Sequence, residues 1–153
     1  MHNNAGQQLA VETVVVLESH IDHLTGEELG HAFATLQEAG AVDVIWLPGI
    51  MKKNRPGGVL RAICLPENLE AVQAAFFRHT HTLGIRRSFV ERVVLPRRAG
   101  TLPSSQGDMD AKCYEMDGVT YTRAEFEALA KAAVKLGVGL PALRFSANGE
   151  SKG

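Results

Sequence analysis

Three short segments of this 153-residue chain contain the side chains that could bind an ion or a charged ligand. The acidic segment, ESHIDHLTGEE, runs from Glu18 to Glu28 and offers carboxylates and imidazoles. The lysine segment, PGIMKKNRPGG, runs from Pro48 to Gly58 and offers three cations. The threonine segment, RHTHTLGIRR, runs from Arg78 to Arg87 and offers hydroxyls, imidazoles and guanidinium groups. If the three segments meet at one end of the fold, they can bind a charged ligand together with a metal ion.

The lysine segment places Lys52, Lys53 and Arg55 at one bend. These cations repel one another unless water or an anion separates them. Asn54 adds a side-chain amide, and Gly57 lets backbone amide groups come close to an anion. The combination suits a polyphosphate or a carboxylated ligand. The alternative is a solvated hairpin with incidental charge, because the segment lacks the Walker phosphate-binding pattern.

Four of the six histidines lie in the acidic and threonine segments. Imidazole suits nickel, zinc or copper better than magnesium, so the two segments can form a transition-metal site if they meet. The candidate metal ligands are Glu18, His20, Asp22, His23, His79 and His81. The alternatives are that the histidines are ordinary loop residues, and that Glu18 or Asp22 caps a helix or pairs with Arg86.

The threonine segment also offers hydroxyl groups and guanidinium groups. Thr80 and Thr82 can turn the chain or donate hydrogen bonds to phosphate. Arg86 and Arg87 stand at the start of a predicted strand and therefore point to opposite faces, so at most one of them faces a site. The sequence has no Ser-His-Asp order and no activated cysteine, and its catalytic residues remain unknown.

The composition is that of an ordinary globular domain, with 45% hydrophobic residues, 22% charged residues and a formal net charge of -1. This charge gives no global argument for nucleic acid or for a membrane surface. The lysine segment also lacks the interleaved aromatic residues typical of RNA binding. No apolar run approaches the roughly 20 residues that cross a bilayer, and no secretory signal is present. Cys64 lies in an apolar run and is predicted to be a reduced core residue, which favours a cytoplasmic protein.

Residue periodicity predicts a ferredoxin-like α+β fold. Two helices are expected, one opened by the capping box Thr25–Glu28 and ended at Gly40, and one opened by Pro66. The predicted strands are Val11–Leu17, Val42–Leu47, Val59–Leu65 and Phe89–Leu95. The resulting order, β-α-β-β-α-β, is the split βαβ arrangement, with both helices on one face of a four-stranded antiparallel sheet.

The C-terminal third is predicted to contain a long loop and one further helix. Residues 97–120 are rich in Arg, Gly, Pro, Ser and Asp, and we expect a loop with at most a short strand near AKCYEM. A second capping box, Thr122–Glu125, predicts the start of an extra C-terminal helix. We therefore expect a single domain over residues 11–145, between polar tails at 1–10 and 146–153.

Several strings of this sequence resemble one known family. VVVLESHIDHLTGEEL, LQEAGAVDVIWLPGIMKKNRPGGVLRAIC and THTLGIRR together resemble the C-terminal region of the nickel-insertion proteins, which make the nickel-pincer cofactor of lactate racemase. The resemblance extends from about residue 11 to about residue 145. The string GAVDV followed by MKKNRPG is long and specific.

The resemblance implies an activity and its cofactors. Members of this family are CTP-dependent nickel chelatases (cyclometallases, a class of lyase) that form the nickel complex of pyridinium-3,5-bisthiocarboxylic acid mononucleotide. They need CTP with magnesium or manganese. Their C-terminal region is a ferredoxin-like nucleotide-binding domain that oligomerises, for which we expect a trimer or hexamer. They also carry a larger N-terminal region, which could be a separately encoded partner, so this chain alone can bind ligands without turnover.

The resemblance also assigns roles to individual residues. The residues expected to bind nucleotide or phosphate are Lys52, Lys53, Asn54, Arg55, Gly57, Thr80, Thr82 and Arg86, while Asp22 and Gly84 also match the family pattern. The family pattern ETNIDD is ESHIDH here, and RETTTLGIR is RHTHTLGIRR. Histidines replacing carboxylates favour a transition metal. The alternative function is therefore a non-catalytic oligomeric module that carries or senses nickel or nucleotide, and neither function involves nucleic acid or a membrane.

Overall fold

The computed structural model describes residues 9–104 and 107–147. Contacts between Cα atoms group the chain into two compact units. The first unit is Val11–Val93, and the described residues from Val94 onward belong to the second. The expected single domain over residues 11–145 stays a prediction.

The first unit has the predicted β-α-β-β-α-β order. Its elements are β1 (Ala10–Ile21), α1 (Gly26–Glu38), β2 (Ala41–Met51), β3 (Arg55–Cys64), α2 (Leu69–Thr80) and β4 (Arg86–Val94). The four strands form an antiparallel sheet in the order β2-β3-β1-β4. This order confirms the ferredoxin-like prediction, because the two central strands are the first and third of the motif.

Alternating burial explains why these segments form strands with one covered face. Leu17 and Ile21 of β1 and Leu60 of β3 are fully or almost fully buried. They form one core cluster with Leu36 of α1 and Phe76 of α2. Residues two apart in a strand share a face, so this face carries both helices. The opposite, open face of the sheet carries the polar members of the same strands. Cys64 is buried and free, as the sequence predicted.

The strands of the first unit are longer than predicted. The sequence predicts that β1 ends at Leu17, whereas it continues to Ile21, so the acidic segment begins inside a strand. Likewise, β2 and β3 extend until Met51 pairs with Arg55. The lysine segment is therefore a hairpin with a short turn at Lys52–Asn54. These strand ends are rich in polar residues, most of which face away from the core, so a hydrophobicity argument does not detect them as strands.

The second unit contains a small sheet that the sequence analysis did not predict. Its strands are β5 (Arg97–Leu102), β6 (Met109–Met116) and β7 (Val119–Ala124), followed by the helices α3 (Phe126–Leu136) and α4 (Leu140–Ala147). The expectation of a long loop over residues 97–120 is wrong, although β6 contains the short strand expected near AKCYEM. Ala111 and Cys113 are buried, and these small side chains give the strands only a weak hydrophobic pattern.

The second predicted capping box is also wrong, although the helix after it is confirmed. Thr122 lies in β7, and the N-cap of α3 is Glu125, which makes no side-chain capping hydrogen bond. The predicted C-terminal tail begins inside α4, and residues 1–8 and 148–153 lie outside the described residues. Among the described helices, none is long and apolar enough to cross a membrane.

Candidate functional site

Side chains from all three segments line one cavity of about 1070 Å³ in the first unit. Its polar lining consists of His20, Asp22, His23, Lys52, Arg55, His81 and Thr82. The sheet order brings them together. The end of β1 pairs with the start of β3, where Ile21 lies opposite Gly58, and β4 follows α2 on the other side of β1. Three segments that are distant in sequence therefore meet at one end of the sheet.

The turn of the lysine segment presents cations beside one carboxylate. Lys53 and Asn54 have positive φ angles of 60° and 56°, which tightens the bend between β2 and β3. Lys52 lines the cavity, and the Arg55 guanidinium lies 3.4 Å from the Asp22 carboxylate. Lys53 and Asn54 are not among the residues that line the cavity. The cavity therefore contains two permanent cations and a single carboxylate.

The two glycines of the lysine segment are needed by the sheet. A Cβ atom at Gly57 would lie 2.5 Å from the Ile21 carbonyl oxygen and 2.6 Å from the Met51 sulfur. A Cβ atom at Gly58 would collide with the Leu47 carbonyl oxygen. Both glycines lie inside β3, so close approach of neighbouring strands accounts for them. The role of Gly57 in phosphate binding stays a prediction.

His23 connects the acidic segment to the threonine segment. Its Nε2 atom lies 2.7 Å from the Thr80 carbonyl oxygen, and because that oxygen only accepts, Nε2 is the donor. Thr80 is buried, and its hydroxyl donates to the Phe76 carbonyl oxygen at 2.7 Å. The Thr80 hydroxyl is thus engaged inside helix α2. The other ring nitrogen of His23, Nδ1, lies 3.8 Å from the Asp22 carboxylate.

Ser19 is a residue of this region that the sequence analysis did not single out. Its side chain is buried on the core side of β1 and donates to the Gly84 carbonyl oxygen at 2.8 Å. Its Oγ atom is also 2.6 Å from Oγ1 of Thr82. These bonds fix the threonine segment against β1. Its position in the sequence could have indicated this role, because Ser19 is two residues from both Leu17 and Ile21 and therefore shares their buried face.

Glu18 lies on the open face of the sheet, where two arginines hold it. Its carboxylate accepts hydrogen bonds from Arg61 at 2.9 Å and from Arg86 at 3.2 Å. These hydrogen bonds lower the pKa of the Glu18 carboxyl group below its ordinary value. Arg87 points the other way and donates to Gln73 of α2, so the predicted opposition of Arg86 and Arg87 is confirmed. Glu18 and Arg86 are not among the residues that line the cavity.

The predicted metal ligands do not all come together. The His79 ring lies against the His31 ring of α1, with centroids 5.2 Å apart, and His79 is not a lining residue of the cavity. Within residues 9–104 and 107–147, no three histidine, cysteine, aspartate or glutamate side chains are grouped closely enough to hold a metal ion. The six-residue metal site stays a prediction, and four of its residues line the cavity, namely His20, Asp22, His23 and His81.

Apolar side chains complete the lining of the cavity. Leu47, Ile50, Met51 and Leu83 all contribute to it, and Leu83 is fully exposed. Exposed apolar residues beside cations are typical of sites that bind a ring carrying charged groups. The sequence analysis missed these residues, although Leu47, Ile50 and Met51 form an apolar stretch next to the lysines of the hairpin.

The first unit is a ferredoxin-like domain with a cavity at one end of its sheet. The sequence model of the family described as nickel insertion protein matches residues 2–144, and the chain belongs to this family. A pyridinium-3,5-bisthiocarboxylic acid mononucleotide nickel insertion protein from Alkaliphilus metalliredigens (strain QYMF) is 39% identical over 124 residues, which are 81% of this chain and 30% of that protein. One of the same description from Geobacillus kaustophilus (strain HTA426) is 36% identical over 80% of this chain and 30% of its own length. The chain thus spans about 30% of these relatives.

Two solved structures share the fold. LarC2, the C-terminal domain of a cyclometallase involved in the synthesis of the NPN cofactor of lactate racemase, has a TM-score of 0.79 and 25% identity, covering 88% of this chain and 93% of LarC2. A protein from Methanopyrus kandleri AV19 has a TM-score of 0.64 and 23% identity, covering 90% of this chain and 86% of that one, and it supports the fold alone. The predicted resemblance to the C-terminal region of the nickel-insertion family is confirmed.

Proposed function

We propose that this chain is the CTP- and divalent-metal-binding domain of a nickel-insertion enzyme. The enzyme would form the nickel complex of pyridinium-3,5-bisthiocarboxylic acid mononucleotide, with nickel as a substrate. The observation that carries the proposal is the meeting of the acidic, lysine and threonine segments around one cavity, in a member of the nickel insertion family. The nearby solved relative is the C-terminal domain of a cyclometallase.

The cations of the lysine segment are suited to a nucleotide triphosphate. Lys52 faces the cavity as a mobile point charge, while Arg55 can form two parallel hydrogen bonds to phosphate oxygens. Lys53 and Asn54 follow Lys52 in the turn and extend the polar surface for a chain of phosphates. Leu83 and Ile50, which are 101% and 72% exposed, offer apolar contact to the base. When the nucleotide binds, its phosphate oxygens and its base would replace the water molecules that contact these side chains.

The single carboxylate of the cavity is suited to a metal that the nucleotide itself carries. Magnesium and manganese bound to nucleotides usually take one or two protein carboxylates, several waters and phosphate oxygens. Asp22 can supply that carboxylate once phosphate competes for Arg55, which lies 3.4 Å from it. His20 and His81 lie at the same cavity and would add nitrogen ligands for a transition metal.

The alternative, a nickel carrier or sensor built on four loop histidines, has weaker support. His79 lies against His31, and Nε2 of His23 donates to a carbonyl oxygen. This leaves His20 and His81 as the imidazoles with both nitrogens free of such partners among the described residues.

We further propose that the chain forms a trimer or hexamer, and that turnover needs a larger N-terminal region of the kind expected for the family.

Titration with CTP and manganese tests the nucleotide site. We expect CTP with manganese to bind and to raise the unfolding midpoint, because ligand binding stabilises the native state by mass action. Lys52→Gln should weaken binding about tenfold at low salt, as expected for one charge-assisted hydrogen bond, and less at high salt, where screening already weakens the charge. Isothermal titration calorimetry at two salt concentrations measures both effects.

A matched variant separates a local effect from a change in net charge. Lys131→Gln removes the same charge from α3 in the second unit and should leave CTP binding unchanged. Absence of CTP binding, or equal binding by the native chain and Lys52→Gln, contradicts the proposal. Nickel binding that disappears in His20→Ala with His81→Ala, without any CTP effect, would instead support the carrier.

A further inference from the structure

The second unit carries a face of tyrosines and cations that the first unit's site does not use. In the small sheet, Arg97 of β5 lies opposite Tyr114 of β6, which lies opposite Tyr121 of β7. Two residues along, Lys112 lies opposite Arg123. Residues two apart in a strand point the same way, so all five side chains share one face. We call this set the tyrosine face.

The tyrosine face is not needed for the core of the second unit. The buried residues of β6 are Ala111 and Cys113, which alternate with Lys112 and Tyr114 and therefore point to the other face. The Cys113 sulfur also lies 3.4 Å from the Thr122 hydroxyl on that other face. Core packing therefore explains one face of the sheet and leaves the tyrosine face unexplained.

The two tyrosine rings form a ready platform for another ring. Their centroids are 5.5 Å apart and their planes differ by 16°, so Tyr114 and Tyr121 are stacked. Tyr121 lies on β7, an edge strand of the sheet, and is 40% exposed. A further planar ring can stack on such a pair, as nucleic acid bases stack on aromatic side chains.

The charges around the platform are predominantly positive. All five side chains of the tyrosine face line a cavity of about 770 Å³, together with Glu125. Lys112 pairs with Glu125 at 3.6 Å. The side chains of Arg97 and Arg123 make no ion pair or hydrogen bond with any residue that the structure describes. Two guanidinium groups without a partner among the described residues, beside an aromatic platform, suit phosphate or carboxylate groups on a planar ligand.

We infer that the tyrosine face binds a mononucleotide with an electron-poor heteroaromatic ring, such as a pyridinium mononucleotide. The ring would stack on the tyrosines, whose electron-rich faces favour a positively charged ring, and its anionic groups would contact Arg97 and Arg123. The cavity falls within the roughly 300–1,000 Å³ of small-ligand sites. Three cations and one cavity favour a single mononucleotide over a nucleic acid strand, whose binding usually involves more phosphate contacts. The choice of a pyridinium ring rests on the proposed function, whereas the binding site itself does not depend on CTP binding at the cavity of the first unit.

Nicotinic acid mononucleotide is the probe, because it joins a pyridinium ring to a carboxylate and a phosphate. We expect it to bind the whole chain and to show upfield shifts of its ring protons in NMR titrations, as stacking on tyrosine produces. Ribose 5-phosphate, which lacks the ring, should bind at least about tenfold more weakly, given the size of a stacking contact. Tyr121→Ala should cause a similar loss, whereas Tyr121→Phe should keep most of the affinity.

Variants of the arginines separate this face from the rest of the molecule. Arg123→Gln should weaken binding about fivefold to tenfold, as expected for a charge-assisted hydrogen bond. Arg98→Gln is the matched control, because Arg98 is exposed in β5 but alternates with Arg97 and points to the other face.

Three results would overturn the inference. The first is equal binding of nicotinic acid mononucleotide and ribose 5-phosphate. The second is unchanged binding in both Tyr121→Ala and Arg123→Gln, each checked for cooperative unfolding by circular dichroism. The third is tighter binding of a single-stranded oligonucleotide than of the mononucleotide, with a steep salt dependence, which would assign the face to nucleic acid.

Discussion

At the scale of single residues, Glu18 shows how the open face of the sheet uses charge. The hydrogen bonds from Arg61 and Arg86 lower the pKa of the Glu18 carboxyl group below 4.5. A lowered native pKa means that the ionised form stabilises the fold. That contribution is fully present above the unfolded pKa and is lost as the pH falls through the lower native pKa.

We therefore predict a pH-dependent effect of Glu18→Gln. At neutral pH the substitution should lower the free energy of unfolding by up to about 1 kcal/mol, because the paired groups are partly exposed and screened by solvent. The difference between the native chain and the variant should shrink as the pH falls below about 4.5. Urea unfolding at several pH values measures it, with Glu91→Gln on β4 as the control for losing one carboxylate. A pH-independent difference would show that the Glu18 charge does not contribute.

Residue types alone predicted part of the candidate site. Asp22, Lys52, Arg55 and the imidazoles His20 and His81 could be chosen because their chemistry and their segments pointed to one place. Other assignments depended on the directions of side chains, which are determined by the fold. His79 lies on the last turn of α2 and contacts α1, and the Glu18 side chain faces two arginines. One-dimensional spacing does not show which way such side chains point.

At the scale of elements, the two predicted capping boxes had different outcomes. Thr25 and Glu28 form the reciprocal pair, with the Glu28 carboxylate 2.7 Å from the Thr25 amide nitrogen. The same pattern at Thr122 lies in a strand, because VTYTRA alternates β-branched and aromatic residues with polar ones and pairs with β6. Strand pairing outweighs a local cap, since a cap contributes only about 1 kcal/mol.

This contrast gives a prediction for α1. Thr25→Ala should lower the free energy of unfolding by about 1 kcal/mol, because it leaves the Glu28 amide without its acceptor. Thr25→Ser keeps that acceptor and should retain most of the stability. Chemical denaturation followed by circular dichroism makes the comparison, and equal losses in the two variants would mean that the hydroxyl is not the stabilising group.

At the scale of the whole molecule, the sequence predicted the first unit far better than the second. The first unit has long β-branched strands and helices with a clear apolar stripe, so periodicity is a strong signal for it. The second unit builds its sheet from strands such as RRAGTL and MDAKCYEM, where small and charged residues dominate. Its sheet depends on pairing between strands, which a single sequence shows only weakly.

The open face of the first sheet gives the last prediction, which concerns assembly. Ile45 and Leu47 of β2 are 43% and 38% exposed, and Val90 of β4 is 40% exposed. Ile45 and Glu18 both lie opposite Arg61 in neighbouring strands, so their side chains share one face of the sheet. Val90 lies on that face too, because it is four residues from Arg86 in β4 and Arg86 contacts Glu18. Apolar residues on an uncovered sheet face mark a contact surface, and the expected oligomer would cover it with another copy.

Ile45→Glu combined with Val90→Glu should therefore shift the oligomer toward the monomer in sedimentation velocity experiments, because burying two carboxylates in the contact is unfavourable. Val134→Glu is the control, since Val134 of α3 is 83% exposed in the second unit and lies outside this face. If the native chain sediments as a monomer, the prediction of an oligomer is wrong. An oligomer that persists in the double variant would place the contact elsewhere. Loss of assembly is expected to lower the unfolding midpoint of the double variant. We expect no further decrease, because both side chains already face solvent within one chain.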